Sequence, residues 1–149
     1  MVDLEGTTIS ENEKELLLQP EVGGVILFTR NFVSVEQITD LTAQIHNLRT
    51  PPLLVAVDHE GGRVQRFHEG FTRIPAAAIY AKKSQNDLGK ARRLAEHAGW
   101  VMAAELGACG IDFSFAPVLD LAHGLSGVIG DRAFHSKPST AGTLAYAFM

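Results

Sequence analysis

Asp58, Glu60, Gly61, Gly62, Arg63 and Arg66 crowd together directly after the apolar run Leu53 to Val57. Carboxylates accept hydrogen bonds from hydroxyl groups, and arginines donate through a planar fork. Both charges at the end of an apolar run are hard to explain as packing, and the set suits a polar, hydroxyl-rich small molecule. Two carboxylates can also act as acid and nucleophile on a glycosidic bond. That chemistry needs a set separation across the scissile bond, which groups two residues apart could hardly provide. Glu60 is therefore read as structural, paired with Arg63 or a nearby amide, with direct ligand contact the alternative. Gly61-Gly62 lacks the following Lys and Ser/Thr of a phosphate-binding loop, so a sharp turn is the expectation. Arg30 and Asp120 are weaker pocket candidates. If Arg30 is buried it needs a carboxylate or a ligand as partner.

The elements that position these residues alternate. Val2–Leu4, Val25–Phe28 and Leu53–Val57 read as strands, the last buried on both faces, and Ile111, Phe113 and Phe115 begin a fourth that ends near Asp120. Capping-box patterns at Ser10 to Glu13 and at Ser34 to Gln37 open two helices, the first running to about Leu18. In the second, Ile38, Leu41, Ile45 and Leu48 keep helical spacing. A loop-rich stretch from Asp58 to about Ser84 is too long for a plain connector. The longest helix spans about Asp87 to Ala108, with an apolar stripe from Leu88 through Ala91, Leu94, Ala95, Ala98, Val101 and Met102 to Leu106. Trp100 is placed in the core. A second long loop reaches Ser136, and Pro138 starts a last helix.

Successive β-then-α units imply parallel strands with right-handed crossovers. Polar groups follow three of the apolar runs: Thr29-Arg30-Asn31, Asp58-His59-Glu60 and Asp120. The fold class expected is α/β, the amino-terminal half of a (β/α)₈ barrel with about four parallel strands. That explains the repetition better than an open sheet with one switch point. Residues 1–149 are expected to make up one partial barrel domain.

A net charge of −4 over 149 residues, with scattered basic residues, argues against nucleic acid or an anionic membrane as partner. The acidic start and the lack of a long apolar run suggest a cytoplasmic protein. Cys109 is the one cysteine, expected to be a buried small hydrophobe. The histidines at 46, 59, 68, 97, 123 and 135 form no metal-binding pattern, and no metal or cofactor is expected. His46 and His97 are expected to be solvated or capping carbonyls.

Four stretches resemble glycoside hydrolase family 3: Gly-Gly-Val-Ile-Leu-Phe-Thr-Arg-Asn (23–31), Val-Asp-His-Glu-Gly-Gly-Arg-Val-Gln-Arg (57–66), Phe-Ala-Pro-Val-Leu-Asp (115–120) and Ile-Gly-Asp-Arg-Ala-Phe (129–134). Within it they are similar to the bacterial cytoplasmic β-N-acetylhexosaminidases of peptidoglycan recycling. The resemblance implies a β/α barrel and retaining removal of terminal N-acetylglucosamine from anhydro-muropeptides, with an amino-sugar or muropeptide ligand. It matches Asp58, Arg66 and Arg132 to substrate-binding residues, Asp58 accepting from sugar hydroxyls and the arginines donating. His59 stands where Gln is common, and Ala133 where Ser is common.

The family's acid/base histidine lies on a Lys-His-Phe-Pro-Gly loop and its nucleophile in a later Ser-Asp-Asp-Leu-type stretch. Neither stretch occurs in these residues. The expectation is part of a sugar pocket, no catalytic residue and no hydrolysis by the 149 residues alone. A non-catalytic sugar-binding or interaction module, such as a pseudoenzyme or the product of a decayed gene, and a family 3 β-glucosidase fragment are the alternatives. Open strand edges are expected to favour a homodimer or aggregation.

Overall fold

The computed structural model describes residues 1–84, 87–124 and 126–149, so Leu125 of the second long loop lies outside the described residues. The elements run β1 (Val2–Asp3), α1 (Glu11–Leu17), β2 (Gly24–Leu27), α2 (Val35–Asn47), β3 (Leu54–Val57), α3 (Ala78–Lys83), α4 (Leu88–Ala108), β4 (Phe113–Ser114) and α5 (Pro138–Phe148). The four strands form a parallel sheet in the order β1-β2-β3-β4. Sequential order with parallel pairing is what repeated β-then-α units produce.

Contacts divide the chain into two units. The first contains Met1–Asp58, Arg66–Phe71 and Ala104–Ser114, and so the whole sheet. Its core joins Val25 and Leu27 of β2, Val55 and Val57 of β3, and Ile38, Leu41 and Ile45 of α2, all essentially buried. Phe67 stacks on Phe32 at 4.8 Å between ring centroids and leans on Phe71 at 5.5 Å. Such aromatic pairs add to simple area burial.

Local chemistry fixes the helix starts in this unit. At α1, Ser10 accepts from the Glu13 N–H while the Glu13 carboxylate accepts from Ser10 N at 2.8 Å, a complete capping box. At α2 only half of the expected box forms. Ser34 accepts from Gln37 N, but the Gln37 amide oxygen takes the Val33 N–H instead. Cys109 is buried, and burial pushes its thiol pKa up, as expected for a small hydrophobe.

The second unit contains His59–Gln65, Thr72–Ala103 and Phe115–Met149. Tyr80, Phe134 and Phe148 form its aromatic centre, with ring centroids 5.8 to 6.2 Å apart. Burial drives the Tyr80 hydroxyl well above its ordinary pKa. Gly99 is required here by close approach, because a Cβ would sit 1.8 Å from the Phe148 carbonyl oxygen. Pro138 occupies the first turn of α5, where its missing N–H costs nothing.

Several sequence expectations are corrected. Leu54 is 51% exposed although β3 was expected to be buried on both faces. Its register partner is Gly24, which has no side chain to cover it. The long stretch after Asp58 contains the short helix α3. In α4, Leu88 and Leu94 are exposed and Trp100 is 72% exposed, so the stripe narrows to Ala91, Ala95, Met102 and Leu106. β4 stops at Ser114, well short of Asp120.

Candidate functional site

β3 delivers Asp58 at its carboxyl end, with Val55 to Val57 fully buried behind it. Arg66 Nη2 donates to Asp58 Oδ2 at 3.1 Å. Both side chains keep just under 30% of their surface, so they hold one another while staying reachable by a solute. The guanidinium carbon of Arg66 lies 5.5 Å from the Phe28 ring centroid, and that of Arg30 lies 4.8 Å from it. Aromatic faces attract cations, so Phe28 orients both arginines at the end of β2.

Arg30 has a carboxylate partner. It pairs with Asp3 and donates from Nε to the Leu4 carbonyl at 2.9 Å. Next to it, the buried Asn31 accepts from Phe28 N at 2.8 Å and donates to the carbonyls of Leu4 at 3.0 Å and Gly6 at 2.7 Å. The polar run after β2 is thus committed to tying the end of β1 in place. The carboxylate partner expected for Arg30 is Asp3.

Within the second unit, Arg132 makes a side-on fork with Glu60: Nε to Oε2 at 2.8 Å and Nη2 to Oε1 at 2.6 Å. Glu60 is 9% exposed and has both oxygens engaged. Its partner is Arg132, where the sequence suggested Arg63 or a nearby amide. Arg63 instead pairs with Asp131, with Nε to Oδ1 at 3.4 Å. A crevice lined by Glu60, Gly61, Pro117, Arg132 and Phe134 lies beside this fork.

The two glycines make the turn that brings Glu60 round. Gly61 and Gly62 have φ of +93° and +57°, and a Cβ on either would meet the 74–76 segment at 2.7 Å. Glu60 N donates to Val64 O at 2.7 Å and Gly62 N to Ile74 O at 2.8 Å. Gln65, not singled out by its sequence context, is buried and holds the same segment. Its amide nitrogen donates to Thr72 O at 2.9 Å and its oxygen accepts from Ile74 N at 3.0 Å.

The remaining candidates lie outside these ion pairs. Asp120 is exposed in irregular chain beyond β4, so the expected strand-end position is corrected. His59 and Ala133, the two departures from the family pattern, are both buried. His46 is neither free in solvent nor capping a carbonyl: its Nε2 lies 3.1 Å from Asp112 Oδ2, which also accepts from Val55 N at 2.7 Å. No group of three His, Cys, Asp or Glu is placed to hold a metal ion among the described residues. Nor is any helix among them long and apolar enough to cross a membrane.

Four parallel strands in sequential order with crossover helices, and a part-exposed ion pair beyond a strand's carboxyl end, are the arrangement of an α/β fold of the β/α-barrel type. Residues 1–149 match the glycosyl hydrolase family 3 N terminal domain, and the chain belongs to that family. It is 64% identical over its full length to a beta-hexosaminidase of Thioalkalivibrio sulfidiphilus, and 53% identical over 148 residues to one from Neisseria gonorrhoeae. It spans 43% of the first protein's length and 41% of the second's. The crystal structure of native NagZ from Neisseria gonorrhoeae superposes on 99% of this chain with a TM-score of 0.96 and 52% identity, again over 43% of that chain. The same protein has been solved in complex with N-trifluoroacetyl-D-glucosamine, with a TM-score of 0.97 over 44% of its chain. The half-barrel expectation is therefore met in both fold and family.

Proposed function

We propose that this chain supplies the sugar-recognition part of a retaining β-N-acetylhexosaminidase that removes terminal N-acetylglucosamine from peptidoglycan fragments in the cytoplasm. The observation that carries the reading is the Asp58–Arg66 pair: a carboxylate beyond a buried parallel strand, held by one arginine yet still part-exposed. Asp58 accepts from sugar hydroxyls, while Arg66 and Arg132 donate to sugar oxygens. Glu60 binds no sugar and orients Arg132. Beta-hexosaminidase relatives at 52% to 64% identity support an amino sugar over glucose. The binding of N-trifluoroacetyl-D-glucosamine by the Neisseria protein supports it further.

The outer strands of the sheet are β1 and β4, and their edges are where a second copy would pair. Sedimentation velocity at increasing concentration tests that assembly. Saturation-transfer NMR with N-acetylglucosamine and glucose tests the function. Transfer to N-acetylglucosamine alone, lost in Asp58→Ala, is expected. Equal transfer to both sugars would contradict the amino-sugar reading.

A further inference from the structure

Arg63 has no part in the sugar contacts assigned above, yet it makes more polar contacts than an ordinary surface arginine needs. Its Nε reaches Asp131, and its Nη2 donates to the carbonyls of Gly127, at 3.3 Å, and Val128. Gly130, at a φ of +46°, lies beneath the same guanidinium, with its Cβ position 4.0 Å from Nη2. One side chain from the turn after Glu60 thereby grips the segment that leads into Arg132.

Arg132 touches the same carbonyl. While Nε and Nη2 fork onto Glu60, Nη1 donates to Val128 O at 3.3 Å. A carbonyl oxygen has two lone pairs and can serve both arginines. The fork commits one edge of the Arg132 guanidinium, so Nη1 is the end able to turn to another acceptor. Its bond to Val128 O is longer than either bond of the fork. Val128 is exposed, so its carbonyl loses little when Nη1 moves to a ligand oxygen. Arg63 also keeps that carbonyl paired.

We propose that Arg63 is a positioning residue for sugar recognition: it holds the Val128 carbonyl and Asp131 so that Arg132, braced on Glu60, can hand Nη1 to a sugar oxygen. The proposal rests on the reading of Arg132 as a sugar-binding residue. A lone exposed Arg63–Asp131 pair would contribute little. The two carbonyl contacts on the loop that carries Arg132 make the difference.

The test compares the protein with Arg63→Met and Arg63→Lys by following the Arg132 Nε–H resonance and the amides of 126–132 in ¹⁵N spectra. Arg63→Met is expected to shift or broaden these signals and leave the rest of the spectrum in place. Arg63→Lys restores them in part, because an ammonium can still reach a carbonyl. In a ¹⁹F titration with N-trifluoroacetyl-D-glucosamine, Arg63→Met weakens binding about fivefold, the size of one lost hydrogen bond, and Arg63→Lys falls between. An Arg132 resonance unchanged in Arg63→Met overturns the proposal. So does sugar affinity that falls in Arg132→Met and stays at the wild-type value in Arg63→Met. Affinity indifferent to both substitutions overturns the reading of Arg132 as well.

Discussion

Arg132 and Glu60, 72 residues apart in sequence, are joined by two charge-assisted hydrogen bonds of 2.8 and 2.6 Å. The carboxylate is nearly buried and the guanidinium is 22% exposed. Removing either partner leaves the other charge with unmet hydrogen bonds in a poorly solvated place. Glu60→Gln and Arg132→Met are each expected to cost roughly 1.5–3 kcal/mol. Urea unfolding of both single variants and the double variant measures the coupling. Additive losses would show that the fork contributes nothing.

The turn at Gly61-Gly62 makes a sharper demand. Left-handed φ and a 2.7 Å approach to the 74–76 segment act together. Gly61→Ala is expected to lower stability by more than about 2 kcal/mol. Gly6→Ala, where nothing lies within 4 Å of the Cβ position, serves as the control and should change little. Equal thermal shifts in the two would contradict the close packing of the turn.

Two buried amides act as clamps. Asn31 serves backbone groups of Phe28, Leu4 and Gly6, and Gln65 those of Thr72 and Ile74. Asn31→Leu and Gln65→Leu leave those groups unpaired, at about 1–3 kcal/mol for each group that finds no replacement. Amide hydrogen exchange should accelerate at Phe28 in the first variant and at Ile74 in the second. Unchanged protection at both would contradict the clamps.

Stability should depend on pH through Glu13. Hydrogen bonds from the Ser10 hydroxyl, then from the backbone N–H groups of Glu5 and Ser10, hold its carboxyl below the ordinary value of 4.5. A folded-state pKa below the unfolded one stabilises above the unfolded value, and that contribution is lost as pH falls through the folded one. Glu13→Gln is therefore expected to be less stable than the parent at pH 7 and to converge with it in acid below 4.5. A stability gap independent of pH would show that the charge of Glu13 is not involved.

The alternation of strands and helices was legible because its signals are local: the capping box at Ser10 and Glu13, Pro138 in the first turn of α5, and the apolar runs of β2 and β3. The charged turn after β3 was legible as polar chemistry in a place where packing cannot explain it. Partner choice was not legible. Glu60 chooses an arginine 72 positions away over the neighbouring Arg63, and sequence spacing carries no trace of that. Leu54 and Trp100 were misplaced because an apolar residue is buried only if another element covers it. Gly24 beside Leu54 covers nothing. The clamping roles of Asn31 and Gln65 were not legible, because a single amide in a loop looks the same whether it clamps a backbone or meets solvent.

Asp58, presented beyond β3 and held by Arg66, is the residue proposed to recognise an amino sugar. A ¹⁹F titration of N-trifluoroacetyl-D-glucosamine into the protein and its Asp58→Asn variant tests this most directly, with amide spectra confirming that the variant stays folded. The parent should bind saturably, and Asp58→Asn at least about tenfold more weakly, because a charged acceptor for sugar hydroxyls is lost. Binding of equal strength in the two proteins would contradict it.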